Sequence, residues 1–527
     1  MGAIVTQKRL GGAGAVDCPT PSPYAAKVIE LFRCERPMNA DSRRPPLRYA
    51  VIGAGMSGIL AAKRLLERDD VAVTLFEKSA KVGGTWRENR YPGLTCDVMA
   101  HAYTYSFAPN PDWSAVMAGG PEIREYFENV WRRYGVDQIT RFQAEVTLCE
   151  WRDNHWYLEA TDGTRADFDV VIVASGVLHH PNVPALPGLE TFAGEVFHSA
   201  RWPEDLPLAG RAIGVVGNGS TGVQIVSALA GTARVTQFQR TPQWIMQIDN
   251  RRFTDEERAY FRANPDVVEG IRKDPEYLRL VKRFNDAIVE PESEAMAEIE
   301  AAALHYLETA VQDPVLREKL RPDYRAACKR LIYSCDYYAA VQRPGTTVVR
   351  EGIAGVEPGG VRTCDGVLHE LDVLVLATGF HADRFIRPTR VVGCNGATLD
   401  EAWALRPSAY LAVAVPGFPN FFLLNGPTGP VGNFSLIDIA EAQWGYIEQL
   451  LEEVRAGRCV AVAPTPAALQ DYDERRVVAA RKTIFATGCQ SWYLDAEGVP
   501  ATWPWGYTAF FEAMAAPDLA AFERFPV

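Results

Sequence analysis

Two stretches of the chain share one pattern of hydrophobic and polar positions. RYAVIGAGMSGILAAKRLLE, from Arg48, is an apolar run, a glycine turn and an Ala/Leu-rich segment with helical spacing; a second apolar run, VAVTLFE, then ends at Glu77. RAIGVVGNGSTGVQIVSALA, from Arg211, repeats the arrangement and leads into ARVTQFQR. Short apolar runs bounded by glycine predict buried parallel strands, and the spacing after them predicts helices. Two more such runs, Val170–Ser175 (VVIVAS) and Leu371–Ala377 (LDVLVLA), end in the similar turns SGV and ATGF. Between about 250 and 340 the pattern becomes charged and helical, as in TDEERAYFRANPDVV and ESEAMAEIEAAALHYLETAV, before strands resume near Thr346–Val349. Residues 1 to about 45 are rich in Gly, Pro, Ala and Ser around one short amphipathic stretch, Tyr24–Arg33. That composition predicts an extension rather than part of a core.

The turn in each repeated unit is G-x-G-x-x-G: Gly53, Gly55 and Gly58 around Met56 and Ser57, then Gly217, Gly219 and Gly222 around Ser220 and Thr221. Between a strand and a helix, this spacing serves a dinucleotide. The first glycine allows the tight turn, the second lets backbone approach the pyrophosphate, and the third lets helix pack on strand. Glu77 stands nineteen residues beyond Gly58, where a carboxylate accepts hydrogen bonds from ribose hydroxyls and repels a 2′-phosphate. The second unit carries Arg240 and Thr241 in place of an acid, and a guanidinium grips a 2′-phosphate through paired bonds. The first cradle therefore suits FAD and the second NADPH. The expected fold class is α/β, with two Rossmann-like dinucleotide-binding domains, the NADPH domain inserted into the FAD domain, and a helical insertion. The expected boundaries are an N-terminal extension over 1–45, an NADPH domain over 196–370 with its helical insertion at about 250–340, and an FAD domain in two pieces. Those pieces are 46–195 and 371–527, the second including C-terminal loops on the substrate side.

Composition narrows the chemistry. The 527 residues, 47% hydrophobic and 23% charged, are those of a folded protein of more than one domain. A net charge of −12 with scattered basic residues argues against nucleic acid as a partner. No apolar run approaches a membrane span and the N-terminus is too weakly apolar for a secretory signal, so a cytoplasmic protein is expected. Ten cysteines lie scattered without a C-x-x-C pair, which argues against zinc, iron–sulfur and dithiol centres and predicts free thiols. His179-His180 lacks a third ligand, so no metal is assigned, and no protein partner is predicted.

Reduced flavin passes electrons to a disulfide, a quinone or oxygen, and no suitably spaced cysteine pair serves the first. Just before the second cradle, FAGEVFHSARWPEDL supplies Phe192, Gly194, His198, Trp202 and Pro203 as F-x-G-x-x-x-H-x-x-x-W-P. Earlier, Gly83-Gly84-Thr85-Trp86, four further residues, Tyr91-Pro92-Gly93 and then Asp97 match [AG]-G-x-W-x4-[FY]-P-[GM]-x3-D. Both patterns resemble the signatures of the type I Baeyer–Villiger monooxygenases, class B flavoproteins, and the resemblance extends from about residue 47 to beyond Phe510. It implies an enzyme that takes hydride from NADPH, activates O2 as a peroxide on flavin C4a and inserts one oxygen beside a ketone carbonyl. It also implies that Gly84, Thr85, Trp86, Asp97 and Tyr103 join Glu77 at FAD, with Val146 offering backbone to the adenine and Leu436 beside the flavin ring. Gln224, Arg240, Thr241 and Lys329 would serve NADPH. Arg330, in CKRLIYSCDYY, resembles the family's arginine facing the flavin; permanently charged, it would stabilise anionic species, with Asp97 orienting it. By the same resemblance His198 links domains rather than acting as a base; Trp86 and Trp202 read equally as core aromatics, and a packing role is expected for Trp202. The alternative is a class B N- or S-oxygenating enzyme, whose members usually carry Tyr or Phe where this chain has Trp202. A dinucleotide-holding binding protein is the other rival, and the presence of Arg330 and Asp97 speaks against it.

Overall fold

The strand Leu47–Ile52 (LRYAVI) is buried along its last four residues, so both faces of its sheet must be covered. In the computed structural model, which describes residues 45–432 and 435–526, it is the middle of five parallel strands. Their order is Phe421–Leu423, Val170–Val173, Leu47–Ile52, Val71–Phe76 and Thr140–Arg141, and Val51 stands opposite both Leu75 and Ile172. Tyr49 and Val51 face a core shared with the helices Met56–Leu66, Gly120–Arg133 and Leu436–Arg455. Ala50 and Ile52 face the opposite way, onto Trp156 and Leu158. Those two residues belong to a second layer of strands, Arg390–Val392, Val146–Arg152, His155–Ala160 and Arg165–Phe168. The alternation follows from the two-residue period of a strand. All but one residue of the expected N-terminal extension, with its amphipathic stretch, lie outside the described residues; the described part of the chain meets the first sheet at Leu47.

The second sheet repeats the first. Its five parallel strands run Thr346–Val349, Arg234–Phe238, Ala212–Val216, Val373–Leu376 and Glu195–His198. One strand lies elsewhere than the sequence reading places it. Val373–Leu376 was expected to open the returning piece of the FAD domain, yet it pairs Val373 with both Ile213 and Glu195 inside the second sheet. The chain rejoins the first sheet only at Phe421–Leu423. All four residues of Val373–Leu376 are buried, and the backbone of Ala212–Val216 needs a partner on that side. The likeness of VVIVAS and LDVLVLA now has a cause. Each strand lies beside a glycine-turn strand, and its terminal carbonyl, Ala174 or Ala377, presses on the turn.

Four of the six turn glycines, Gly53, Gly58, Gly217 and Gly222, leave no room for a side chain. Gly53 and Gly217 have φ of +103° and +115°, and an added Cβ would lie 2.6 Å from the Ala174 oxygen and 2.3 Å from the Ala377 oxygen, respectively. At Gly58 and Gly222 it would lie 1.8 Å and 2.3 Å from the carbonyl oxygens of Gly53 and Gly217. Helix and strand touch through backbone at these points.

Five helices from Asp255 to Leu320 form the expected insertion. Their starts obey local rules: Thr254 and Glu257 form a capping box, while Asp274, Ser293 and Asp313 cap from the side chain. Arg272 ties this segment to the helix Leu436–Arg455, pairing with Asp438 and, at 3.3 Å, with Glu441. Burial pushes the Asp438 carboxyl up to about 6, although Arg272 pulls the other way. After the insertion, the short strand Ile332–Ser334 pairs with Ile245–Gln247 and sets the direction of the residues before it.

The expectation of free thiols needs correction. Cys328 and Cys489 form a disulfide across 161 residues of sequence, whereas Cys96, Cys149, Cys335, Cys364, Cys394 and Cys459 are free. Packing, not sequence spacing, brings the pair together: both belong to one cluster with Leu331, Phe485 and Tyr493. Among the described residues, no helix is long and apolar enough to cross a membrane.

Two substitutions in the second turn should separate packing from ligand contact. Gly222→Ala drives a methyl into the Gly217 carbonyl and should cost about 1–3 kcal/mol, read as a lower melting temperature. Gly219→Ala has nothing within 4 Å of the added carbon and an extended φ of −65°, so it should melt with the parent.

Candidate functional site

Both glycine turns open onto one cavity of about 1210 Å³. That exceeds the roughly 300–1,000 Å³ of a pocket for one small ligand. The helices Met56–Leu66 and Ser220–Leu229 start there at Gly55 and Gly219, with no side-chain cap and no acid in the first turn. Their leading N–H groups and positive dipole ends are therefore available to phosphate. The backbone of Gly84 closes on the first cradle so tightly that a Cβ would lie 2.9 Å from the Gly55 Cα, while Gly219 faces open space. Two backbone-lined cradles on one large cavity fit two dinucleotides.

Around the first cradle the cavity wall includes Gly53, Gly55, Met56, Ser57, Glu77, Gly84, Thr85, Trp86, Asp97, Tyr103, Val146 and Leu436. Glu77 is buried and accepts hydrogen bonds from the amides of Ala54 (2.9 Å) and Ser79 (2.8 Å). It therefore braces the turn itself, and its remaining lone pairs are left for ribose hydroxyls. Trp86 Nε1 donates to the Tyr103 hydroxyl at 3.1 Å, and the Val146 carbonyl accepts from Thr389 at 2.7 Å. Gly58 packs beneath the turn. Sequence reasoning missed Asn425, whose Nδ2 donates to the Ser57 hydroxyl at 2.9 Å and whose backbone has φ of +52°. It sits 368 residues from Ser57, beyond the reach of any local pattern.

The second cradle presents Gly217, Gly219, Ser220 and Thr221 to the same cavity, with Arg240, Thr241 and Lys329 close by and Gly222 packed behind. Arg240 is exposed, and its charge adds to burial in lowering the Lys329 pKa. Two neighbouring cations are a natural seat for a phosphate dianion. Gln224 lies at the cavity wall, but its side chain is occupied: Oε1 accepts from the Tyr91 hydroxyl at 3.0 Å, and Nε2 donates to the Thr95 carbonyl at 3.0 Å. Thr221 also donates to the Tyr91 hydroxyl, at 3.3 Å. Gly93 completes this joint, since a Cβ there would lie 2.6 Å from the Gln224 carbonyl. The Y-P-G of the second signature thus docks one glycine-turn unit on the other.

Arg330 and Asp97 meet at the cavity between the cradles. Nε donates to Oδ2 at 2.8 Å and Nη2 to Oδ1 at 2.7 Å, a two-pronged pair that fixes the guanidinium plane. Burial acts to lower the Arg330 pKa, but Asp97 and then Tyr493 outweigh it, so the group is held above the ordinary guanidinium value. The fingerprint residues stand away from the cavity. Phe192 and Trp202 are buried in two apolar clusters, Gly194 lies where a Cβ would be 2.3 Å from the Asp372 carbonyl, and Pro203 follows Trp202. His198 Nδ1 accepts from the Ala200 amide at 3.2 Å, so Nε2 carries the hydrogen and donates to the Gly379 carbonyl at 2.9 Å. Both nitrogens are occupied, and burial lowers the pKa. His179 and His180 direct Nε2 at the carbonyls of Phe385 and Arg387, and among the described residues no three His, Cys, Asp or Glu side chains gather to hold a metal.

Residues 47–256 match the family model described as flavin-binding monooxygenase-like. A monooxygenase of Mycobacterium tuberculosis, itself uncharacterised, is 44% identical over 86% of this chain and 91% of its own length. A Baeyer–Villiger monooxygenase of Streptomyces coelicolor is 38% identical over 90% of this chain and 92% of its own. The structure of cyclohexanone monooxygenase from Rhodococcus sp. Phi1 bound to NADP+ superposes with a TM-score of 0.80 at 31% identity, covering 92% of this chain and all of that one. These relatives favour the ketone-oxidising reading over N- or S-oxygenation. Two cradles on one cavity, both signatures in place and relatives alike along nearly the whole chain converge: the chain belongs to the type I Baeyer–Villiger monooxygenases, FAD- and NADPH-dependent members of the flavin-binding monooxygenases.

Proposed function

We propose that the enzyme inserts one oxygen atom of O2 beside the carbonyl of a ketone, giving an ester or lactone, with Arg330 and Asp97 as its catalytic pair. The observation that carries this reading is the two-pronged Arg330–Asp97 pair on the wall of the cavity onto which both cradles open. Bound FAD, reduced by NADPH, supplies the activation of O2.

The chain's own groups do the rest. Attack on a ketone carbonyl puts negative charge on its oxygen, and a fixed cation lowers the barrier by meeting that charge as it forms. Arg330 suits the task because it stays charged and does not quench the anion by giving up a proton. Asp97 holds the guanidinium in one plane, so no reorientation is needed when charge develops. Arg240 and Lys329 select the phosphorylated nicotinamide dinucleotide, and Glu77 favours the unphosphorylated ribose in the first cradle. His198 ties the edge strand Glu195–His198 to the Gly379 turn on the cavity wall, and so couples the second domain to the site without touching substrate. NADPH as the reductant supports a cytoplasmic setting for the enzyme.

Product formation from a panel of ketones, identified by mass, tests the reading. Arg330→Ala should still fold and bind FAD, with a lowered melting temperature because Asp97 is left unpaired, and lose about 10²–10³ in ester formation. Arg330→Lys should recover only part of the rate, because an ammonium lacks the planar fork that matches Asp97. Ester formation by the Ala variant at the parent rate would remove Arg330 from the chemistry. Arg240→Ala should narrow the preference for NADPH over NADH by about 1.5–3 kcal/mol, the contribution of a charge-assisted phosphate contact, in the ratio of kcat/KM values.

A further inference from the structure

Asp97 occupies Nε and Nη2 of Arg330, which leaves Nη1 as the free prong of the fork. That prong lies beside Gly432 and Tyr493. A Cβ added to Gly432, whose φ is +89°, would sit 3.5 Å from Nη1 and only 2.2 Å from the Tyr493 hydroxyl. Tyr493 is 2% exposed, and its hydroxyl faces no hydrogen-bonding group other than the Arg330 guanidinium. A buried hydroxyl without a partner costs about 1–3 kcal/mol, so its place against a cation calls for a reason.

The segment that carries Tyr493 is fastened on both sides of it. Cys489 is bonded to Cys328, two residues before Arg330, so the staple joins the tyrosine's segment to the arginine's. On the other side Asp495 accepts from Arg406 at 2.9 Å and from the Glu497 and Val499 amides at 2.9 and 2.8 Å. The Tyr493 ring packs on Phe485 at 4.7 Å, and its carbonyl accepts from the Ala501 amide at 2.7 Å. Arg406, Gln490, Ser491, Trp492 and Leu494 line the same cavity as Arg330. None of these contacts engages the tyrosine's own hydroxyl.

We infer that Tyr493 is a positioning residue for Arg330: its hydroxyl takes up the Nη1 prong while Asp97 holds the other two nitrogens, and the Cys328–Cys489 disulfide keeps the two segments in register. The inference rests on the role proposed for Arg330. It adds a third fixed point to the guanidinium, so that Arg330 neither rotates about the Asp97 axis nor turns Nη1 away from the cavity.

The test is Tyr493→Phe in the full-length, FAD-loaded enzyme. The ring and its packing stay, and both Asp97 bonds still hold Arg330, so the variant should fold and hold FAD as the parent does. Ester formation should fall about ten-fold, the effect of losing one hydrogen bond to a charged group, with the ketone KM little changed and more NADPH consumption ending as hydrogen peroxide. A readout independent of turnover is the change in visible absorption of bound FAD on adding NADP+, which should differ from the parent's. In an Arg330→Lys background the same substitution should cost less than about two-fold, since residues acting through one another are not additive. Cys489→Ser should reproduce part of the loss in the parent and none in the Tyr493→Phe variant. Parent-like rate, coupling and spectrum in Tyr493→Phe, or an equal loss in both backgrounds, would overturn the inference. An Arg330→Lys enzyme that keeps the parent rate would instead overturn the role of Arg330, whatever Tyr493 does.

Discussion

The Arg330–Asp97 pair is the interaction on which the rest of the structure depends, because it asks for what folding normally avoids: a charged pair kept dry enough to act yet open to a ligand. Neither member is worth burying alone, since an unpaired charge in such a place would cost several kcal/mol. The two residues come from segments 233 positions apart, so every element between them bears on whether they meet. Asp97 arrives from the first glycine-turn unit through the stretch that begins at Tyr91. Arg330 arrives from the far end of the helical insertion, three residues after a buried turn at Ala327 with φ of +60°.

What brings the two segments together is a backbone-tight joint. Gly93 presses on the Gln224 carbonyl, and Tyr91, Thr95 and the Gln224 side chain form a closed hydrogen-bond set. Arg272 clasps Asp438 and Glu441, so the insertion that delivers Arg330 is anchored to the helix that starts at Leu436. The joint also explains why Gln224, expected at NADPH, spends its amide on protein: it keeps the second cradle facing the first. The fingerprint around His198 does comparable work at a distance. Phe192, Gly194 and Trp202 pack one edge of the second sheet, and His198 holds the turn at Gly379.

Much of this was legible in the chain. The two G-x-G-x-x-G turns announce their strands and helices because only glycine tolerates the approach of the Ala174 and Ala377 carbonyls, and that intolerance is local. The charged helical pattern between about 250 and 340 is local as well, which is why the insertion's helices were expected; the caps at Thr254, Asp274, Ser293 and Asp313 fix their starts. The strand Val373–Leu376 was recognised as a strand but assigned to the other sheet. An apolar run says that it is buried, not which of two similar sheets it completes.

Sequence by itself therefore determined the elements, the two cradles and the residue types that face dinucleotides, since each depends on sterics and hydrogen bonds within a few neighbouring residues. Tertiary structure alone decided which distant side chains share a wall. The Cys328–Cys489 disulfide, the reach of Asn425 to Ser57 and the approach of Tyr493 to Arg330 span 161 or more residues, and no local spacing encodes them. Their physical origin is packing: once the apolar faces of the sheets and the insertion are buried, the loops between them have few paths left, and those paths place the polar groups.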